Sequence, residues 1–123
     1  MKSLLLLLFA SVFAVAQSQL GSGAISGRVT DPSGRAVANA SVAILNPASG
    51  FNRATLTNQQ GDFSAPVLPP GSYTVRAEAE GFRALEQTGV LVSVGATATL
   101  RLELTLGSIS EVVTVEEIGR AHV

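Results

Sequence analysis

The chain has 123 residues, a formal net charge of −1 and no cysteine. Near-neutrality excludes a phosphate-tracking surface and a polybasic membrane patch, and the absence of thiols excludes disulfides, a lipid attached through cysteine and any thiolate metal centre. Aromatic residues make up 5% of the chain and none is tryptophan, which leaves little material for stacking bases or sugars.

Residues 1–16 read as an export signal. Lys2 supplies the positive start, Leu4 to Val15 an almost unbroken apolar run, and Ala14-Val15-Ala16 a small-residue cleavage site. Because the run is too short to cross about 30 Å of hydrocarbon as a stable helix, cleavage before Gln17 is expected, not a retained anchor. Residues 17–23, polar and rich in Gly and Ser, read as a flexible lead.

From Ala24 the apolar residues recur with a period of two, interrupted by Gly, Pro, Asn and Asp, which predicts short antiparallel strands. In the first, Ile25, Gly27 and Val29 share one face, and Asp31-Pro32-Ser33-Gly34 closes it with turn chemistry. A second spans about Ala40 to Leu45, with Ala40, Val42 and Ile44 inward, and Asn46-Pro47 ends it. The third, about Asn52 to Thr57, leads through an Asn58-Gln59-Gln60-Gly61 turn into a fourth, Asp62 to Val67, with Phe63 as its large core residue.

Leu68-Pro69-Pro70-Gly71 is a stiff corner that cannot sit in a central ladder. Beyond it, Tyr73, Val75, Ala77 and Ala79 alternate with Thr74, Arg76, Glu78 and Glu80, the pattern of a strand with one face in the core and one in water. Gly81-Phe82 turns the chain, and Val90, Val92 and Val94 define a sixth strand. After Gly95 a seventh places Ala98, Leu100, Leu102 and Leu104 inside. No window of ten or more residues after Gln17 keeps a helical period. Seven thin strands in roughly 80 residues bury their apolar faces only as two packed sheets, so a seven-stranded β-sandwich is expected.

Glu117 to Val123 resembles the translation of a sequencing-library adapter, and the natural reading frame is expected to continue past Glu116. The one histidine, His122, lies in that tail, so no general base or metal ligand is placed on it.

The motifs Ile25-Ser26-Gly27-Arg28-Val29-Thr30-Asp31-Pro32-Ser33-Gly34, Val37 with Ala40-Ser41-Val42, Thr57-Asn58-Gln59-Gln60-Gly61-Asp62-Phe63, Leu68-Pro69-Pro70-Gly71-Ser72-Tyr73-Thr74-Val75 and Gly81-Phe82 together resemble the carboxypeptidase regulatory-like, or transthyretin-like, domain. The resemblance covers residues 24–106 and implies a prealbumin-like sandwich with a structural or interaction role. A signal, one such domain and then residues 107–116 as an exit strand resemble the start of a TonB-dependent outer-membrane receptor, in which the chain leads on to a plug inside a large barrel. Val113-Thr114-Val115 is similar to the stretch with which such receptors pair with TonB by strand addition, although a plain exit strand has the same pattern.

Enzymatic readings find no footing in these residues. A hydrolytic triad, or a transthyretin-like hydrolase, needs a positioned histidine that residues 1–116 lack, and no His-x-x-Glu pair offers a zinc site. Asp31 and Asp62 sit near glycines in loops but outside any closely spaced oxygen cluster, so turn-capping is expected of them, not calcium. A Lys to Asn isopeptide staple is impossible beyond Gln17, where there is no lysine. Tyr73 and Phe82 are expected in the packing and not in a glycan site, and two prolines at Pro69-Pro70 make a corner before they make a polyproline ligand.

No catalytic, cofactor-binding or metal-binding residue is therefore assigned. The expected function is that of a non-catalytic N-terminal module of a TonB-dependent receptor at the periplasmic face of the outer membrane. Its expected contacts are its own plug and barrel and TonB or another periplasmic protein, with no nucleic acid. The alternative is a stand-alone secreted or cell-surface binding module, such as a carbohydrate-binding or stalk domain. Sequence downstream of codon 116 separates the two.

Overall fold

The computed structural model describes residues 21–116, which form eight strands and no helix. They are β1 (Gly23–Thr30), β2 (Ser41–Asn46), β3 (Phe51–Leu56), β4 (Asp62–Leu68), β5 (Gly71–Glu78), β6 (Ala84–Val92), β7 (Thr97–Glu103) and β8 (Val112–Glu116). The segment read as an export signal and the adapter-like tail with His122 lie outside the described residues.

Two sheets result, a three-stranded one in the order β4-β1-β7 and a five-stranded one in the order β3-β2-β5-β6-β8. The expected all-β sandwich is thus present: seven strands match the seven read from the sequence, and the exit segment adds the eighth. Between the sheets lie Ile25, Val29, Val42, Ile44, Phe63, Tyr73, Val75, Val90, Leu100, Leu102 and Leu104, all buried. Among the described residues the buried core is drawn from residues between Ile25 and Leu104, with Val113 partly buried against it.

Not every seam is antiparallel. β1 pairs with β7 in parallel, from Ala24 opposite Thr97 to Thr30 opposite Glu103, and β6 pairs with β8 in parallel. Alternation reveals which face of a strand is buried but not which strand lies beside it, and a chain that crosses between sheets can return in either direction.

Two bulges shift the alternation. In β6, Val75 faces Gln87 and Tyr73 faces Val90, so Thr88 and Gly89 together oppose Thr74, with Gly89 at a φ of 72°. The inward set therefore runs Leu85, Gln87, then Val90 and Val92. This is why β6 begins at Ala84, earlier than the run of valines indicates; Val94, read as part of the strand, lies past its end and is exposed. In β4 the register shifts between Ala65 and Leu68, leaving Val67 exposed at a φ of 58°. A β-branched residue in the left-handed region is strained. Val67→Asn is expected to raise the unfolding free energy by about 1 kcal/mol, seen as a higher midpoint in urea. An unchanged midpoint would mean that the backbone there relaxes without cost.

The corner read at Pro69-Pro70 carries the chain from the three-stranded to the five-stranded sheet. Gly23, read as part of the polar lead, is buried and opens β1, while the Ser22 carbonyl accepts from the Gly95 amide at 2.9 Å.

Buried Thr57 ties down the 37–40 segment in a way the sequence does not announce. Its hydroxyl accepts from the Ala40 amide at 2.8 Å and donates to the Val37 carbonyl at 2.7 Å. Thr57→Val keeps the shape but leaves both backbone groups unpaired, and is expected to cost about 2 kcal/mol in equilibrium unfolding. Thr57→Ser should recover most of it.

Candidate interaction surface

The loop aspartates are committed to their own turns. The Oδ1 atom of Asp31 accepts from the Ser33 hydroxyl at 2.7 Å and from the Ser33 and Arg35 amides at 2.9 Å each. Chiefly the Ser33 hydroxyl, with the Arg35 amide next, holds the Asp31 carboxyl below the usual carboxylate range. Asp62 meets Arg28 across the three-stranded sheet at 2.9 Å. Among the described residues no three His, Cys, Asp or Glu side chains lie close enough together to hold a metal ion.

Neither aromatic residue weighed as a sugar platform is presented as one. Tyr73 is fully buried, its hydroxyl donating to the Pro69 carbonyl at 2.6 Å and its ring meeting Phe51 edge to face at 6.0 Å. Phe82 is half-buried against the core. The other two described aromatics are Phe51, half-buried under the Arg53 guanidinium at 5.2 Å from its ring centre, and buried Phe63.

What the fold leaves open is backbone at sheet edges, and the two flanks differ. On one flank lie β3 and β4. There β4 carries Pro66 and the Val67 bulge, and the Arg53 guanidinium hydrogen-bonds the Pro66 carbonyl across the two sheets. Proline, a bulge and a bridging charge are devices that prevent edge pairing. The opposite flank presents β7 and β8. β7 runs for seven residues without proline or bulge and, among the described residues, pairs only with β1.

Among the described residues β8 pairs only with β6, and none of its five residues is buried. It is held at its start: the Glu111 carbonyl accepts from the Ala84 amide at 2.8 Å, and the Glu111 carboxylate accepts from the Ser108 amide at 3.1 Å and Arg83 at 3.2 Å. Those two donors, the Ser108 amide first, keep the Glu111 carboxyl below its ordinary range. Val113, Thr114 and Val115 thus have one backbone edge on β6 and, among the described residues, the other unpaired.

A three-on-five sandwich of short strands with no assembled reactive centre among its described residues defines the class, an immunoglobulin- or prealbumin-like β-sandwich domain. The chain belongs to the carboxypeptidase regulatory-like domain family, whose model matches residues 24–105, as the motifs in the sequence imply. It is 32% identical over 95 residues to the TonB-dependent transporter Oar of Myxococcus xanthus, a match that takes in 76% of this chain and 9% of that transporter. Among solved structures, the Bacillus anthracis TIE protein superposes with a TM-score of 0.58 at 20% identity, over 70% of this chain and 17% of that one. A putative carbohydrate binding protein from Bacteroides uniformis does so at 0.54 and 15% identity, over 66% and 40% respectively. At such identities the two structures speak for the fold alone.

Proposed function

We propose that this domain is the N-terminal, non-catalytic module of a TonB-dependent outer-membrane transporter, exported behind residues 1–16 and lying at the periplasmic face of the outer membrane. The observation that carries this reading is the 32% identity to a TonB-dependent transporter over most of the sandwich. Physical features support it. The side chains that would serve an enzyme are engaged in turns and packing, while an unprotected sheet flank and an exit strand with a free edge offer what protein contact needs. On this reading, β8 leads on to the plug, and Val113 to Val115 can meet TonB or another periplasmic protein by strand pairing.

The rival, a free-standing carbohydrate-binding module, draws support from the shared fold of the Bacteroides uniformis protein. It is weakened by the burial of Tyr73 and the half-burial of Phe51 and Phe82, since sugar stacking needs an exposed ring. Reading the natural gene past codon 116 tests the proposal. Several hundred further residues of alternating strands are expected; an early stop codon would sink it.

A further inference from the structure

We infer that the flank between β7 and β8 is a slot for one extended strand of a partner protein, pairing with the free edge of β7 and placing a carboxylate beside Arg101. This edge is distinct from the free edge of β8, and the inference holds whether or not the domain belongs to a transporter.

Sheet stacking makes the slot. β4 packs over β3 and β7 over β6, while β8 packs on β6 and makes no comparable contact with the three-stranded sheet. The five-stranded sheet therefore projects one strand beyond β7. In register with inward-facing Leu85 and Gln87, Val113 and Val115 face the space that a strand beside β7 would fill. Val113 is partly buried, but Val115 remains 43% exposed. A concave surface that extends over β1 and β4 also reaches this place, where its lining includes Gln87, Leu100, Arg101, Glu103, Val115 and Glu116.

Gln87 lines the same surface: it is 6% exposed and faces inward opposite Val75 in the ladder.

Charge selects the occupant. Arg28 and Arg101 stand directly opposite in the parallel β1·β7 ladder, and the one carboxylate in their row, Asp62, is taken by Arg28. The same Arg-x-Glu spacing in β5 is satisfied internally, Arg76 meeting Glu78 at 2.6 Å and Glu86 at 3.0 Å. Arg101 makes no ion pair among the described residues. A strand paired with β7 would set an outward residue next to Arg101, where a carboxylate is favoured and a cation opposed. Its inward residues, lying over Val113 and Val115, should be small or β-branched.

The test uses residues 21–116, which contain every core residue described, and two nine-residue synthetic peptides of alternating valine and threonine. One carries glutamate and the other lysine in place of the central threonine. Binding is followed by amide and methyl NMR shifts and by amide exchange. The glutamate peptide is expected to shift and protect amides of residues 97–103, to shift the methyls of Val113 and Val115, and to bind about threefold more tightly than the lysine peptide. R101E should reverse that preference, and Val115→Asp should weaken both peptides about tenfold. No response in β7 at millimolar peptide, a response confined to β6 with loss of β8, or a preference unmoved by R101E would each overturn the inference. None of these results bears on the transporter reading, which the downstream gene sequence decides.

Discussion

Replacing Tyr73 by alanine is expected to lower the unfolding free energy by about 4 kcal/mol, the cost of emptying a fully buried aromatic site. Tyr73 is the largest side chain with no exposed surface, and it sits in β5 at the centre of the five-stranded sheet. Its ring also meets Phe51 from β3, across the intervening β2, and its hydroxyl pins the Pro69 carbonyl where the chain changes sheets. A small domain has about 5 to 15 kcal/mol to lose, so the variant should be close to unfolded at room temperature. Tyr73→Phe divides the effect. The ring stays, the Pro69 residue is exposed enough for water to take over its carbonyl, and the loss should be about 1 kcal/mol. Urea unfolding of both variants measures the two contributions. A loss for Tyr73→Ala below about 1.5 kcal/mol would place the ring outside the core.

β5 was readable because nothing interrupts it. Tyr73, Val75 and Ala77 are buried and Thr74, Arg76 and Glu78 are not, the pattern a one-sided sheet requires. β6 was not, because the extra residue at Thr88-Gly89 moves the inward set from odd to even positions and one inward residue is polar Gln87. A separate extra residue, between Ala65 and Leu68, hides Leu68 from the alternation of β4.

The slot was illegible for a different reason. Arg76 and Arg101 each precede a glutamate by two residues on an outward face, and in sequence they are equivalent. What separates them is position in the sheets: Arg76 lies on an internal strand within reach of Glu86 on β6, and Arg101 lies on an edge. Edge and interior are properties of pairing order, which alternation does not encode. The exit strand was visible as a strand, but its parallel docking on β6, and so the overhang, was not.

Gly27→Ala is expected to destabilise the domain by about 2 to 3 kcal/mol, although Gly to Ala in a strand ordinarily gains a few tenths by restricting the unfolded chain. Gly27 takes the inward position between Ile25 and Val29. A Cβ there would lie 2.5 Å from the Leu100 carbonyl oxygen and 2.9 Å from two ring carbons of Phe63. Phe63 is 5% exposed, so its ring has little room to swing away. The oxygen is backbone of β7, so making room for the methyl group pushes β7 from β1 along their parallel seam. Ser26→Ala, one residue away on the outward face, should be nearly neutral and serves as the control. Because β7 yields first, hydrogen exchange in Gly27→Ala should quicken at residues 97–103 more than in β2 or β5. Uniform quickening across both sheets would show instead that the methyl group is absorbed by the core as a whole, and that the seam carrying the slot is no weaker than the rest.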